Sequence, residues 1–545
     1  MNAPVNASPA SASKSHATDV VVIGGGANGL VASARLAKSG LRVLLLERDE
    51  SLGGQGRLVE FAPGFRAAPL AFDPGWLPAA IARELNLDGM DQDSRDTPLT
   101  VGIEPGKFLT LSRNAALAAL SIRTHSPDDA AKWPAFTTRL RKLAGFLEAL
   151  YQTPAPDVGV TSLQDLLPLL KLGKQYRDLG KEDMIEFLRT LPLSVWDLLD
   201  EWFENDALKA AVAAGGIQDY QQGPRSGGTG FVLLHHLVGA PAGSVRGRVP
   251  WRGGITAFTD SAGRAARRFG VTVRTGASVA KILVREDAVA GVVLSNGEEI
   301  EAATVLSTAG PARTLLEWVD PVWLDPEYLH AVANIRYRGC TAVALYALDA
   351  LPEVPGLATK QALAGIVSLT PSIRSLEKAA DAAKYGTVSD HPHVEFTVPT
   401  LLQPDLADQG KSIVMARAQY APYRLRNGTT WDAAARDAIG AKMTAAIEAV
   451  APGFGARVRH KLVLSPADLE ERYGLREGAV SQGELGLDQI LFMRPVAGSG
   501  RHGTPISGLY LGGAGTHPGP GILGGPGWLA AQQLLDDRRR AKGNR

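Results

Sequence analysis

Residues 19–54 read DVVVIGGGANGLVASARLAKSGLRVLLLERDESLGG. Val20 to Ile23 is an unbroken β-branched run, the pattern of a strand buried on both faces of a parallel sheet. It enters Gly24-Gly25-Gly26-Ala27-Asn28-Gly29, which satisfies G-x-G-x-x-G at Gly24, Gly26 and Gly29. Leu30 to Lys38 then reads as a helix closed by Gly40, and Arg42 to Leu46 as a second buried strand ending at Glu47. Each piece has a mechanical reason. Gly24 permits the tight turn, Gly26 lets a pyrophosphate approach the backbone, and Gly29 lets helix and strand pack closely. The helix N-terminus offers free N–H groups to the phosphates. Glu47, eighteen residues past Gly29, stands where an acid hydrogen-bonds a ribose hydroxyl and disfavours the 2′-phosphate of NADP.

The residues after Glu47 choose between dinucleotides. Arg48-Asp49-Glu50-Ser51-Leu52-Gly53-Gly54-Gln55-Gly56-Arg57 completes an E-R-x-x-x-x-G-G pattern. It resembles the signature of the flavoenzyme superfamily that contains amine oxidases and phytoene desaturases. That resemblance implies FAD, with the glycine pair passing close to its phosphates and ribityl chain. Expected cofactor contacts in this half are Gly24, Gly26, Asn28, Gly29, Glu47, Arg48, Gly53, Gly54 and Arg57. A second fingerprint for NAD(P)H is not evident, since Gly513-Ala514-Gly515-Thr516-His517-Pro518-Gly519 has one residue too many before its last glycine.

Residues 251–310 continue the pattern. Ala257 to Phe269 reads as a helix, and Val271–Arg274, Ala277–Arg285, Ala288–Leu294 and Glu299–Leu306 as strands, with Asn296-Gly297 a hairpin turn. In the superfamily this segment returns to the FAD domain, with a backbone contact at the Val279 position meeting the adenine. The expected fold is therefore α/β: a Rossmann-like FAD-binding domain of the glutathione reductase and amine oxidase type, with an α+β substrate domain inserted discontinuously. The FAD domain takes 18–75, 251–312 and 500–538, the substrate domain 76–250 and 313–499, and a basic tail 539–545.

Residues 508–531, GLYLGGAGTHPGPGILGGPGWLAA, carry no charge, yet Gly and Pro interrupt them too often for a spanning helix. With QGPRSGGTGFVLLHHLV at 222–238 and SPADLEERYGLREGAVSQGELGLDQILFMRPV at 465–496, this tail resembles the phytoene-desaturase-like branch, and in it the pyridine nucleotide-disulphide oxidoreductase domain-containing protein 2 group. The resemblance implies that Gly513, Ala514 and Gly515 approach the ribityl and phosphate, and that Gly524 and Gly525 open a helix toward the flavin ring. Gln482 departs from the histidine expected before Gly-Glu in this branch, and no C-x-x-C pair supports a disulphide chemistry.

The rest of the chain adds bounds. Net charge is +1 and 21% of residues are charged, which gives no argument for nucleic acid. One cysteine, Cys340, excludes an internal disulfide and suits a reducing compartment; it reads as a buried, inert thiol. The first seventeen residues lack an apolar core or arginines and read as a disordered lead-in, so a cytoplasmic location is expected. Leucines 163–172, followed by Lys171, Lys174 and Arg177, could dock peripherally on a lipid surface, although Pro168 is expected to interrupt that helix. No metal site is expected.

His517 is the one candidate acid/base near the ring. His235 and His236 face different ways on their helix and read as one packed and one capping residue, while Glu484 and Asp488 read as caps or ion-pair partners. The expected activity is an FAD-dependent oxidoreductase, desaturase-like, taking a hydride from a largely apolar isoprenoid or polyene substrate, with oxygen or a quinone as electron acceptor. A flavin amine oxidase and a non-catalytic flavin- or prenyl-binding scaffold are the alternatives.

Overall fold

A computed structural model of the chain describes residues 18–156, 163–246 and 249–543; the lead-in 1–17 lies outside them, as do the last two residues of the basic tail. The opening stretch forms β1 (Val20–Ile23), α1 (Ala27–Lys38) and β2 (Val43–Leu46), with every strand residue buried. α1 starts three residues earlier than its apolar pattern suggests, at Ala27, because Gly26 has extended backbone and serves as its N-cap. β1 sits in the middle of a five-stranded, all-parallel sheet ordered 509–511, 305–307, 20–23, 43–46 and 272–274. Strands that lie some 490 residues apart in the chain thus share one sheet, as crossovers through helices allow. α1 packs between the helices Gly254–Arg268 and Gly525–Gly543.

Three expectations change. Glu299–Leu306 is not one strand: Glu299–Glu301 pairs with Ala288–Leu294 in a three-stranded antiparallel sheet, whereas Val305–Ser307 turns away to lie parallel to β1. The half-exposed charged piece stays on the small sheet and the fully buried apolar piece enters the large one. The helix Leu163–Asp178 runs through Pro168, which removes one main-chain hydrogen bond without ending it. The basic tail is no separate element either. Arg538 to Arg540 and Lys542 belong to the last turns of the helix ending at Gly543, where cations oppose the negative end of its dipole.

A second, seven-stranded sheet runs 458–464, 341–348, 412–419, 393–397, 366–368, 99–104 and 107–111. Its central strands, TAVALYAL and SIVMARAQ, are buried at all eight positions each, so their sequence shows no alternation. The strand Leu99–Glu104 pairs in parallel with Ile366–Ser368, so the segment before 250 and the segment after 313 build one sheet. A helical layer covers it, centred on Trp133, Phe136 and Phe203, whose ring centroids lie 4.8 to 6.1 Å apart with Phe136 edge-on to Phe203. Among the described residues no helix is long and apolar enough to cross a membrane.

Candidate functional site

The C-terminal end of β1 delivers Gly24, whose φ of 100° is one that side chains rarely adopt. Gly29 then brings α1 back so tightly that a Cβ on it would lie 1.8 Å from the carbonyl oxygen of Gly24. Gly26 differs: a Cβ there would meet only Gly54 Cα, at 3.6 Å, and it opens on a cavity. No side chain caps α1, so its first N–H groups remain available. Glu47 closes the loop. Buried, it accepts hydrogen bonds from Gly25 N–H at 2.6 Å and Asp49 N–H at 3.0 Å, which leaves further lone pairs on its carboxylate. The second glycine stretch lies across the first, with Gly53 N–H donating to Gly25 O at 2.9 Å.

The cavity is about 500 Å³ and draws its walls from both large sheets. Around Glu47 it is lined by Arg48, Val279 and Trp318, with Ala277 N–H bonded to Glu47 O at 2.8 Å. Along the α1 N-terminus follow Gly26, Asn28, Gly53, Gly54, Thr308, Gln482 and Ala514. Beyond these stand Phe72, Asp73, Gln218, Asp219, His236, Thr341, Arg417 and the run Gly519–Leu523. Asn28 Oδ1 is buried there and has no protein partner. The open face at Gly26 and the uncapped helix together fit a diphosphate, the free lone pairs of Glu47 fit a ribose, and the orphaned Asn28 Oδ1, an acceptor, fits an O–H or N–H donor of the ligand.

The other anticipated residues stand elsewhere. Arg57 pairs with Asp49 and stacks on Tyr473 at 5.0 Å, outside the cavity wall. Gly513 and Gly515 pack on the segments 308–311 and 482, Gly524 packs on Val31, and Gly525 on Ile522. In that tail the cavity is lined instead by Ala514 and by Gly519 to Leu523. The signal for those was present in the apolar, proline-containing spacer between the glycines, which cannot turn away from a site its neighbours already bracket. His517 is also displaced from the site. Its Nε2 lies 3.0 Å from Thr153 O, its ring stacks edge-on to Tyr151, and burial pulls its pKa down to about 3, so it stays neutral and structural.

The histidine pair divides differently from the sequence expectation. His235 is packed, bonded to Tyr151 OH at 2.8 Å and Pro520 O at 3.0 Å, whereas His236 lines the cavity. Behind the wall, Glu395 is fully buried between Arg246 and Arg417, with His393 Nε2 at 3.4 Å. Burial alone would raise its pKa; the two guanidiniums overrule this and hold it well below the carboxylate range. Both arginines also reach Gln218 Oε1, at 3.3 and 3.4 Å, and Gln419 Nε2 donates to Ile217 O at 2.6 Å. This network presents Gln218 and Asp219 to the cavity from a turn in which Asp219 has φ of 53°. Cys340 is buried and its thiol is pushed well up by that burial, consistent with an inert residue. Glu484 pairs with Arg336 and Arg338, and Asp488 with Arg336.

Residues 28–354 match the family described as flavin containing amine oxidoreductase. The chain is 32% identical to the rat pyridine nucleotide-disulfide oxidoreductase domain-containing protein 2, across 95% of this chain and 93% of that one. It is 24% identical to a neurosporene-forming phytoene desaturase of Rhodobacter capsulatus, across 95% and 94%. The fold is similar to that of an oxidoreductase from Methanosarcina mazei, with a TM-score of 0.57 at 18% identity over 95% of this chain and all of that one. The chain thus belongs to the flavin-containing amine oxidoreductase family, and its cofactor is FAD.

Proposed function

We propose that the chain is an FAD-dependent dehydrogenase that removes a hydride from a C–H bond, in a carbon chain or next to a nitrogen, of a substrate with an apolar body and one polar end, and passes the electrons to oxygen or a quinone. The observation that carries this reading is the continuity of the cavity: the dinucleotide cradle at Gly26 and Glu47 opens into a chamber walled by the second sheet. When bound, FAD supplies the two-electron chemistry. The chain's residues do the rest. Glu47 holds a ribose hydroxyl, and the α1 N–H groups hold the diphosphate. Gly519 to Leu523 form a backbone floor whose Pro520 carbonyl is fixed by His235. Leu70, Phe72, Val343 and Leu485 exclude water from the chamber, while Gln218, Asp219, His236 and Thr341 orient the polar end. A desaturase-like reaction on a pure polyene has no use for those four polar groups.

The same polar wall favours an amine as the second reading, since Asp73 and Asp219 could receive a cationic nitrogen. The test is spectral. Purified protein should show the oxidised flavin bands at roughly 370 and 450 nm. Anaerobic bleaching by amines, with peroxide released on admitting air, selects the amine reading; bleaching by amphiphilic polyenes or terpenoids selects the desaturase-like one. A yellow protein that no donor of either class bleaches would refute both and leave a binding scaffold.

A further inference from the structure

Burying a guanidinium without a carboxylate partner is costly, and Arg494 is such a group. It is 1% exposed, and among the described residues no carboxylate pairs with it; Glu484 and Asp488, its nearest acids in the chain, are taken by Arg336 and Arg338. All three of its nitrogens donate to main-chain carbonyls instead. Nε and Nη2 reach Ala514 O at 3.2 and 2.8 Å, Nη2 also reaches Ser481 O at 2.8 Å and Gly483 O at 3.1 Å, and Nη1 reaches Glu484 O at 3.1 Å and Gln489 O at 3.2 Å. Ser481 and Ala514 are themselves cavity wall. So is Gly519, on which a Cβ would lie 3.8 Å from Arg494 Nε. The guanidinium therefore stands one residue layer behind the cofactor cavity. Burial lowers its pKa to about 10, which leaves it charged at neutral pH.

We propose that Arg494 is a positioning residue for the flavin: its carbonyl ties fix the wall at 481–485 and 514, and its unpaired charge finds its counter-charge in the reduced cofactor. Hydride transfer from the substrate delivers two electrons and a proton to flavin N5. One negative charge is left along the N1–C2=O edge, and the substrate departs oxidised. A fixed cation behind the wall favours that anion over the neutral oxidised ring. This rests on the reading that the cavity holds FAD.

The test uses the flavin-loaded protein and reads its midpoint potential. Arg494→Gln should shift the equilibrium at least tenfold toward the oxidised flavin, a fall of about 30 mV for a two-electron couple. Arg494→Lys keeps the charge but loses most of the ties, so it should lower thermal stability and shift that equilibrium less than about twofold. Equal falls in the two variants, or an unchanged potential in flavin-loaded Arg494→Gln, would overturn the inference while leaving the cavity assignment intact. Native protein that binds no flavin would sink the cavity assignment itself. Should neither variant fold, the native protein decides. Its photoreduced flavin must keep the absorption of the anion as the pH is lowered from about 8 to about 5.5, and a change to the neutral reduced form there refutes the role of Arg494.

Discussion

The two glycine-rich stretches beside the cavity, residues 24–29 and 512–527, use the same residue type differently. At Gly26 an added Cβ has open space ahead of it and only Gly54 Cα at 3.6 Å. At Gly527 it would lie 2.0 Å from the carbonyl oxygen of Asn28, and at Gly524 2.4 Å from Val31. The first stretch holds a glycine that admits a ligand. In the tail, the glycines of the helix start admit α1, and the ligand-facing work passes to the residues between them. Gly29 belongs with the tail group although its motif places it with Gly26. A glycine fingerprint is therefore a mixture of two requirements, one for backbone packing and one for cofactor access, and they fail differently when a side chain is added.

The sharpest break in this comparison comes from the packing glycines. Gly29→Ala and Gly527→Ala each force backbone apart where α1 meets its neighbours. Each should cost at least about 3 kcal/mol and yield little folded protein, as read by urea or thermal unfolding. A folded, native-like Gly527→Ala would show that the tail helix does not need this approach. Gly26→Val should behave in the opposite way. Gly26 has φ of −78° and ψ of −176°, extended backbone that valine accepts, so the melting temperature of the flavin-free protein should stay within about 3 °C of native. FAD affinity should fall at least about a hundredfold, because the valine occupies the pyrophosphate position. Full flavin occupancy in that variant would remove the diphosphate from this cavity.

How much of this was legible follows from the range of the interactions. β1, α1, β2 and Glu47 are contiguous, and each is dictated by local rules of burial, turn and capping, so the sequence displays them directly. Residues 519–523 are cavity wall only because Trp76 N–H bonds Gly521 O at 2.8 Å and Leu523 N–H bonds Trp76 O at 2.7 Å, a contact across some 445 residues. His517 offered a familiar residue type beside the ring motif, but side-chain direction depends on Tyr151 and Thr153 from the helical layer. His236 reads as packed or capping because it adjoins His235 on one helix and the two face different ways, and the space it faces exists only once both sheets are assembled. The second sheet was harder still. Strands buried on both faces lose the alternation that marks a strand, and the parallel pairing of 99–104 with 366–368 leaves no local trace.

The buried histidines give the finest test of how the tail is held. His517 has its pKa pulled from 6.5 to about 3 by burial and by its neighbour His502, and His502 is pulled to about 4 by burial. Both are therefore neutral in the folded protein but titrate near 6.5 once unfolded. Between about pH 6.5 and pH 4 the unfolded chain binds more protons, so the stability these residues contribute is whole above 6.5 and is lost as the pH falls. The slope is at most about 1.4 kcal/mol per pH unit for each. Glu395, held low by Arg246 and Arg417 against its burial, acts the same way only below its ordinary value of 4.5, so it does not confuse the window from 6.5 to 4.5. His393, buried beside it and also lowered, adds a fall of its own in that window, the same in native protein and variant, so it cancels from their difference. His517→Gln can still donate to Thr153 O and does not titrate. Unfolding measured from pH 7.5 down to pH 5 should therefore show a shallower fall in the variant, by up to about 1.4 kcal/mol per unit, at unchanged flavin content. Parallel curves would mean that His517 is wetter than its packing implies and would return it to consideration as a group of the site.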